Sequence, residues 1–128
     1  MPALTEDQLE LFRATNYGVV ATLGPDGAPQ TTIVWVHEED GRPVFNTTNK
    51  RAKGQNLKRD GRLSILVWKK DDPYRYVSVD GAAELEDDPG AAHMHTMSRK
   101  YTGKDWHTPV DRLIVRITPR RIYDYDDD

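Results

Sequence analysis

The stretch Thr47-Thr48-Asn49-Lys50-Arg51-Ala52-Lys53-Gly54-Gln55-Asn56-Leu57-Lys58-Arg59 gathers the groups that hold an anion. It leaves an apolar run, offers two hydroxyls and an amide, and opens a helix-forming run. Free backbone N–H groups at a helix start, with the macrodipole behind them, favour a negative group. Arg51 adds a planar fork and Lys53 a mobile point charge. From Lys50 to Arg62 six basic residues (Lys50, Arg51, Lys53, Lys58, Arg59, Arg62) stand against one acid, Asp60, in a chain of net charge -3. Two readings stand side by side. One is a solvated amphipathic helix with its cations in water. The other is a phosphate site, whose anion offsets the cost of placing cations against the macrodipole.

Other residues offer weaker signals. Gln30, Thr31 and Thr32 bring polar groups to an otherwise apolar segment, Pro29 to Val36. Such a strand can lay its backbone along the edge of a flat heterocycle, or be an ordinary half-exposed strand. Trp35, Trp68, Tyr74, Tyr76 and Trp106 are candidate walls for a planar ligand, and equally candidates for core or interface. His93 and His95 lie two apart, which puts them on different faces of a helix, and no His-x-x-x-His spacing is present, so no metal site is expected. Cysteine is absent, which removes disulfides, thiol catalysis and thiolate metal ligation. The sequence has no G-x-S-x-G, Walker loop or G-x-G-x-x-G.

The elements that must position these groups read as follows. Thr5 caps a first helix, Gln8 completes a capping box, and Leu4 and Leu9 form a hydrophobic staple, with Asn16 at its end. Tyr17–Leu23 and Ala28–His37 form a hairpin about the turn Gly24-Pro25-Asp26-Gly27. Glu38 to Gly41 turn the chain into a strand over Pro43–Thr47. Asn49 caps a helix to about Arg59, which Asp60-Gly61 ends. Strands follow over Arg62–Trp68 and Tyr74–Leu85, the latter alternating Tyr76, Ser78, Asp80 against Val77, Val79, Gly81. Asp88, with Pro89 at the first position, starts a helix to about Lys100. Leu113–Ile117 is the last long strand; Pro119 interrupts, and Ile122–Tyr125 resumes on an edge. Hairpins without βαβ repeats indicate an antiparallel barrel or sheet with short helices at its ends.

With 128 residues, one domain over 1–128 is expected. The acidic balance argues against nucleic acid. The opening residues show no basic and apolar signal pattern, and no apolar run reaches membrane-spanning length. A cytoplasmic, membrane-free location is therefore expected. A chain this size has little surplus stability, which makes a homodimer plausible.

Several blocks, in order, resemble the pyridoxamine 5′-phosphate oxidase-like split-barrel superfamily. They are Ala21-Thr22-Leu23-Gly24-Pro25-Asp26-Gly27-Ala28-Pro29-Gln30-Thr31-Thr32; Arg51-Ala52-Lys53 with Asn56-Leu57, Asp60 and Arg62 to Val67; Asp80-Gly81-Ala82-Ala83-Glu84-Leu85; and Arg112 to Ile117 with Pro119 to Tyr123. The match spans nearly the whole chain. It looks most like the B-type flavin/deazaflavin oxidoreductases, which use coenzyme F-420. The resemblance implies a mainly β fold, a split β-barrel homodimer with cofactor sites at the subunit interface. It implies that Arg51 and Lys53 hold the cofactor phosphate, assisted by Thr47, Thr48 and Asn56. Pro29, Gln30, Thr31, Thr32 and Val34 would line the tricyclic ring, and Tyr76 and Trp106 would come from the partner subunit. One departure stands out. Pyridoxamine 5′-phosphate oxidases proper carry a C-terminal segment with Arg and His for the substrate phosphate, whereas here Tyr123-Asp124-Tyr125-Asp126-Asp127-Asp128 would repel one.

The activity so implied is hydride transfer from reduced coenzyme F-420 to a conjugated or electron-poor small molecule. No side chain is named as acid or base. The alternatives are an FMN-dependent oxidase or reductase of the same fold, a flavin- or tetrapyrrole-binding protein without turnover, and a structural barrel without ligand. Substrate choice would lie in the loops around residues 70–76 and 101–109.

Overall fold

A computed structural model describes residues 2–106 and 111–127. Helix α1 (Glu6–Arg13) begins at Thr5, whose hydroxyl accepts from the Gln8 amide while the Gln8 side chain accepts from the Thr5 amide. The expected capping box is thus in place. Leu9, Leu11 and Phe12 of α1 enter the core. Strands β1 (Tyr17–Leu23) and β2 (Pro29–Trp35) form the expected hairpin, with Thr22 opposite Gln30. A short β3 (His37–Glu39) takes the residues expected to end β2 and begin the turn. It pairs with β4 (Arg42–Thr48).

Helix α2 (Ala52–Arg59) is followed by β5 (Arg62–Lys69) and β6 (Asp72–Asp87). The Gly90–Ala91 backbone is left-handed, so one helix does not run from Pro89. A 3₁₀ turn over Pro89–Ala91 comes first, and α3 (Ala92–Thr102) follows. Asp88 nevertheless caps α3 across that kink, accepting from the His93 and Met94 amides at 2.8 and 2.9 Å. Strand β7 (Arg112–Asp126) is continuous. Pro119 does not break it, because the pairing with β6 shifts between Asp80 and Gly81 and absorbs an extra residue there.

The strands form one antiparallel sheet in the order β2-β1-β5-β6-β7-β4-β3. The sheet curls until the end of β2 faces β4, the arrangement of a split barrel. Alternation buries Val20, Ile65, Val67, Val77, Val79, Val115 and Ile117 with Phe12 and Phe45. A smaller apolar cluster of Ala91, Met94 and Met97, with Tyr101 of α3, joins that helix to Trp35 and Trp106. Lys100 ties the same helix to the barrel: its ammonium donates to the Phe12 and Val36 carbonyls at 2.9 and 2.6 Å and contacts His37 Nδ1 at 3.0 Å. Burial pushes its pKa down to about 8.

Helix α2 is the element that carries the basic run. Its Asn56 donates to Thr22 and Gln30 at 3.0 and 2.7 Å, which pins α2 to both strands of the hairpin. Gly54 allows α2 to lie on the end of β4, since a Cβ there would overlap the Thr48 carbonyl oxygen. Intrinsic propensity alone makes Gly→Ala in a helix favourable by about 0.5–1 kcal/mol. Gly54→Ala is expected to do the reverse, costing about 1–3 kcal/mol through overpacking. Urea denaturation checks the sign; a higher midpoint in the variant contradicts the close approach.

Candidate functional site

A cavity of about 220 Å³ lies where β2, β4, the start of α2, α3 and the start of β7 meet. Its polar end holds Asn46, Thr47, Thr48, Arg51, Lys53 and Arg112, and its apolar end Ile33, Val34, Trp35, Met94, Met97 and Trp106. The polar end follows from strand geometry. Thr48 is paired directly with Arg112, and Asn46 with Ile114, so Asn46, Thr48 and Arg112 share one face. Thr47 comes from the opposite face of β4.

The local backbone then turns the chain so that two cations enter together. Thr48 Oγ1 accepts from the amides of Lys50 and Arg51 at 2.9 and 3.3 Å. Arg51, rather than Asn49, is the N-cap of α2, and no side chain caps the helix there. No acid sits in its first turn. Its first N–H groups and dipole are thus left uncompensated beside Arg51 and Lys53, which line the cavity.

Charge at this end is unbalanced. Among the ion pairs of the described residues none involves Arg51, Lys53 or Arg112. Burial lowers the pKa of Lys53, and the neighbouring Arg51 and Arg112 lower it further. Burial lowers that of Arg112 as well, with Arg51 adding to the shift and Asp88 opposing it. Thr47 Oγ1 is buried, at 2 % exposure for the residue, and has no hydrogen-bond partner among the described residues. A hydroxyl in that state is short of an acceptor. Three converging cations beside an unmatched hydroxyl and a bare helix start fit a phosphate group.

The apolar end is walled by aromatic contacts. Trp35 stacks on Tyr101 at 5.3 Å and meets Trp106 edge-on at 6.1 Å. The Tyr101 hydroxyl accepts from the Val36 amide at 3.0 Å, and burial pushes its pKa up to about 12. His95 Nδ1 accepts from the Trp106 amide at 2.9 Å, fixing the chain as it enters the cavity.

The cavity thus unites Val34, Thr47, Thr48, Arg51, Lys53 and Trp106 of the residues singled out from sequence. Pro29, Gln30, Thr31 and Thr32 lie outside it, on the exposed part of β2. Asn56 faces inward to Thr22 and Gln30 and acts as a brace for α2. Tyr76 is on the sheet, stacked on Tyr125 at 5.1 Å. Sequence reasoning passed over Arg112, Asn46, Met94 and Met97 as site residues. Only the pairing of β4 with β7 brings Arg112 to Thr48. Of the loop expected over residues 101–109, residues 107–109 lie outside the described residues. Among the described residues no helix is long and apolar enough to cross a membrane.

Residues 4–126 match the family model for pyridoxamine 5′-phosphate oxidase. A solved structure described as an F-420 reductase is 30% identical, with a TM-score of 0.83 over 94% of this chain and 98% of that one. A conserved hypothetical protein from Mycobacterium tuberculosis is 32% identical, with a TM-score of 0.78 over 96% of this chain and 85% of that one. General stress protein 26 from Bacillus anthracis, at 19% identity, shares the fold with a TM-score of 0.73 over 96% of this chain and 94% of that one.

The Lys53 environment has a measurable consequence. Folded and ligand-free, Lys53 gives up its proton below the 10.5 of an ordinary lysine. A bound anion favours the charged form and draws a proton back. Affinity for a phosphate-bearing ligand should therefore fall as pH rises through the folded value. On that limb calorimetry in buffers of different ionisation enthalpy should record proton uptake, and Lys53→Met should abolish it.

Proposed function

The chain belongs to the pyridoxamine 5′-phosphate oxidase family, and we propose that it is an oxidoreductase that binds coenzyme F-420 through its phosphate. The observation that carries this reading is the cation cluster of Arg51, Lys53 and Arg112, in no ion pair among the described residues and opening onto an aromatic cavity. The likeness to the F-420 reductase over nearly the full length of both chains supports the deazaflavin branch.

In this reading Arg51 and Lys53 grip the phosphate, the α2 N–H groups meet its oxygens, and Thr47 Oγ1 donates to it. Trp35, Trp106, Met94 and Met97 keep water from the inner wall. A cavity of about 220 Å³ is smaller than the roughly 300–1,000 Å³ of sites that enclose a cofactor-sized ligand. The ring must therefore extend along β2, where Thr31, Thr32 and Ile33 are exposed, Ile33 at 68 %. A second copy of the chain would cover it there, which makes the homodimer part of the proposal. Tyr76 would approach the ring from that partner, whereas Trp106, expected from the partner as well, lines the cavity of its own chain beside Trp35 and Arg112. Reduced coenzyme F-420, when bound, supplies a hydride to an electron-poor C=C or C=N bond. The chain orients acceptor and ring, and solvent delivers the proton.

FMN is the second reading, because the same cations suit its phosphate. The two cofactors are separated by fluorescence quenching with each in parallel. Coenzyme F-420 should bind the more tightly, and Arg51→Ala/Lys53→Ala should weaken it about 100-fold or more, the sum of two charge-assisted contacts. Preference for FMN would move the protein to the flavin branch, and binding of neither would end the cofactor reading. Light scattering on the purified protein should give twice the 14.6 kDa chain mass.

A further inference from the structure

We propose that Arg112 is a third ligand of the anionic group gripped by Arg51 and Lys53, and that Asn46 is the positioning residue that holds its guanidinium there. The proposal rests on the phosphate reading above and adds to it a requirement for about two negative charges. A phosphate monoester meets that requirement, as does a phosphodiester with a carboxylate beside it.

Arg112 is 8 % exposed and lines the same cavity as Arg51 and Lys53. Its Nε donates to Asn46 Oδ1 at 2.8 Å. One Nη faces Met94 Sδ at 3.3 Å, a weak acceptor, and the Trp106 ring lies 5.3 Å from the guanidinium carbon. A guanidinium has five N–H donors. Most of the fork therefore lacks a strong acceptor among the described residues. Burying a charge this way is costly unless something pairs with it.

Asp88, the carboxylate whose charge acts on Arg112, forms no ion pair with it. Asp88 spends its oxygens on the His93 and Met94 amides and on Asn46 Nδ2, the last at 3.1 Å. A structure that builds a cation into a cleft and gives the adjacent acid other work leaves the cleft positively charged by construction.

Asn46 can point only one way. Arg112 Nε is solely a donor, so Oδ1 must face it, and Nδ2 must face Asp88 Oδ2 and His93 Nδ1, the latter at 2.8 Å. His93 consequently accepts at Nδ1 and carries its proton on Nε2, toward Glu39 at 3.6 Å. The start of α3, Asp88, Asn46 and Arg112 thus form one fixed line ending at the cavity.

A merely structural Arg112 and a ligand Arg112 predict opposite outcomes. Wild type, Arg112→Met, Asn46→Ala and the double variant are compared for binding of FMN, coenzyme F-420 and phosphate-free riboflavin, and for melting temperature without ligand. For whichever phosphate-bearing probe the wild type binds, Arg112→Met should weaken binding about tenfold to a hundredfold. Riboflavin affinity and the ligand-free Tm should not fall. Asn46→Ala should weaken the same probe less, and adding it to Arg112→Met should cost nothing further, the mark of a residue acting through another. A fall in ligand-free Tm with unchanged affinity overturns the proposal. Loss of binding in Arg51→Ala/Lys53→Ala but not in Arg112→Met overturns it too and leaves the phosphate reading intact. If the wild type binds neither cofactor, the cofactor reading fails, and inorganic phosphate decides for Arg112 as an anion ligand. A Tm rise with phosphate that Arg112→Met abolishes supports it, and an equal rise in both refutes it.

Discussion

Helix α2 reaches the end of β4 only because residue 54 has no side chain. That contact sets the rest of the site. With α2 down on the Thr48 carbonyl, Thr48 Oγ1 can take the Lys50 and Arg51 amides, and the first turn delivers Arg51 and Lys53 to the same opening. Asn56, one turn further on, locks the far side of the helix to Thr22 and Gln30. The hairpin that carries the proposed ring seat and the helix that carries the proposed phosphate anchor are thereby held as one body. Their relative position is fixed by a missing methyl group and two hydrogen bonds.

The cations so delivered repel one another; Asp88 offsets Arg112 in part, and no ion pair among the described residues neutralises the three. A folded protein keeps such an arrangement when another component supplies the charge, and strained electrostatics of this kind mark functional sites more often than structural ones. The contrast with the surface is instructive. Arg13, Arg62, Arg75 and Arg116 all find carboxylates, so the chain has acids to spare, yet among the described residues none is in an ion pair with Arg51, Lys53 or Arg112. Asp88, the acid whose charge acts on Arg112, is committed to capping α3.

Much of the fold was legible because local rules decide it. The capping box at Thr5, the alternation in β5 and β6 and the turn at Gly24–Gly27 are each specified within a few residues, and the chain folds accordingly. The errors came where tertiary context wins. Pro119 reads as a break, but a bulge in the β6–β7 pairing accommodates it. Pro89 reads as a helix start, but the left-handed pair Gly90–Ala91 delays α3 by a turn. Asn49 reads as a cap, but the turn that Thr48 closes over the Lys50 and Arg51 amides delays the helix, which starts after Arg51 with no side chain capping it. For the site, the Arg51-Ala52-Lys53 run was visible as a local anomaly in charge. Arg112 was not, since in sequence it is one more arginine before a strand, and only its register opposite Thr48 gives it meaning.

The exposed run Thr31–Ile33 on β2 has a consequence for how such a protein changes over time. Its backbone is fixed by pairing with β1, while its side chains contribute little to the core. Substitutions at surface positions of this kind shift stability by only about 0.5 kcal/mol. Within one chain the proposed ring seat can therefore change at little cost to the fold, while the anchor at α2, where Gly54 and Asn56 are packed without slack, cannot. In the proposed reading, ring seat and phosphate anchor are thus separable traits, one carried on β2 and the other on α2.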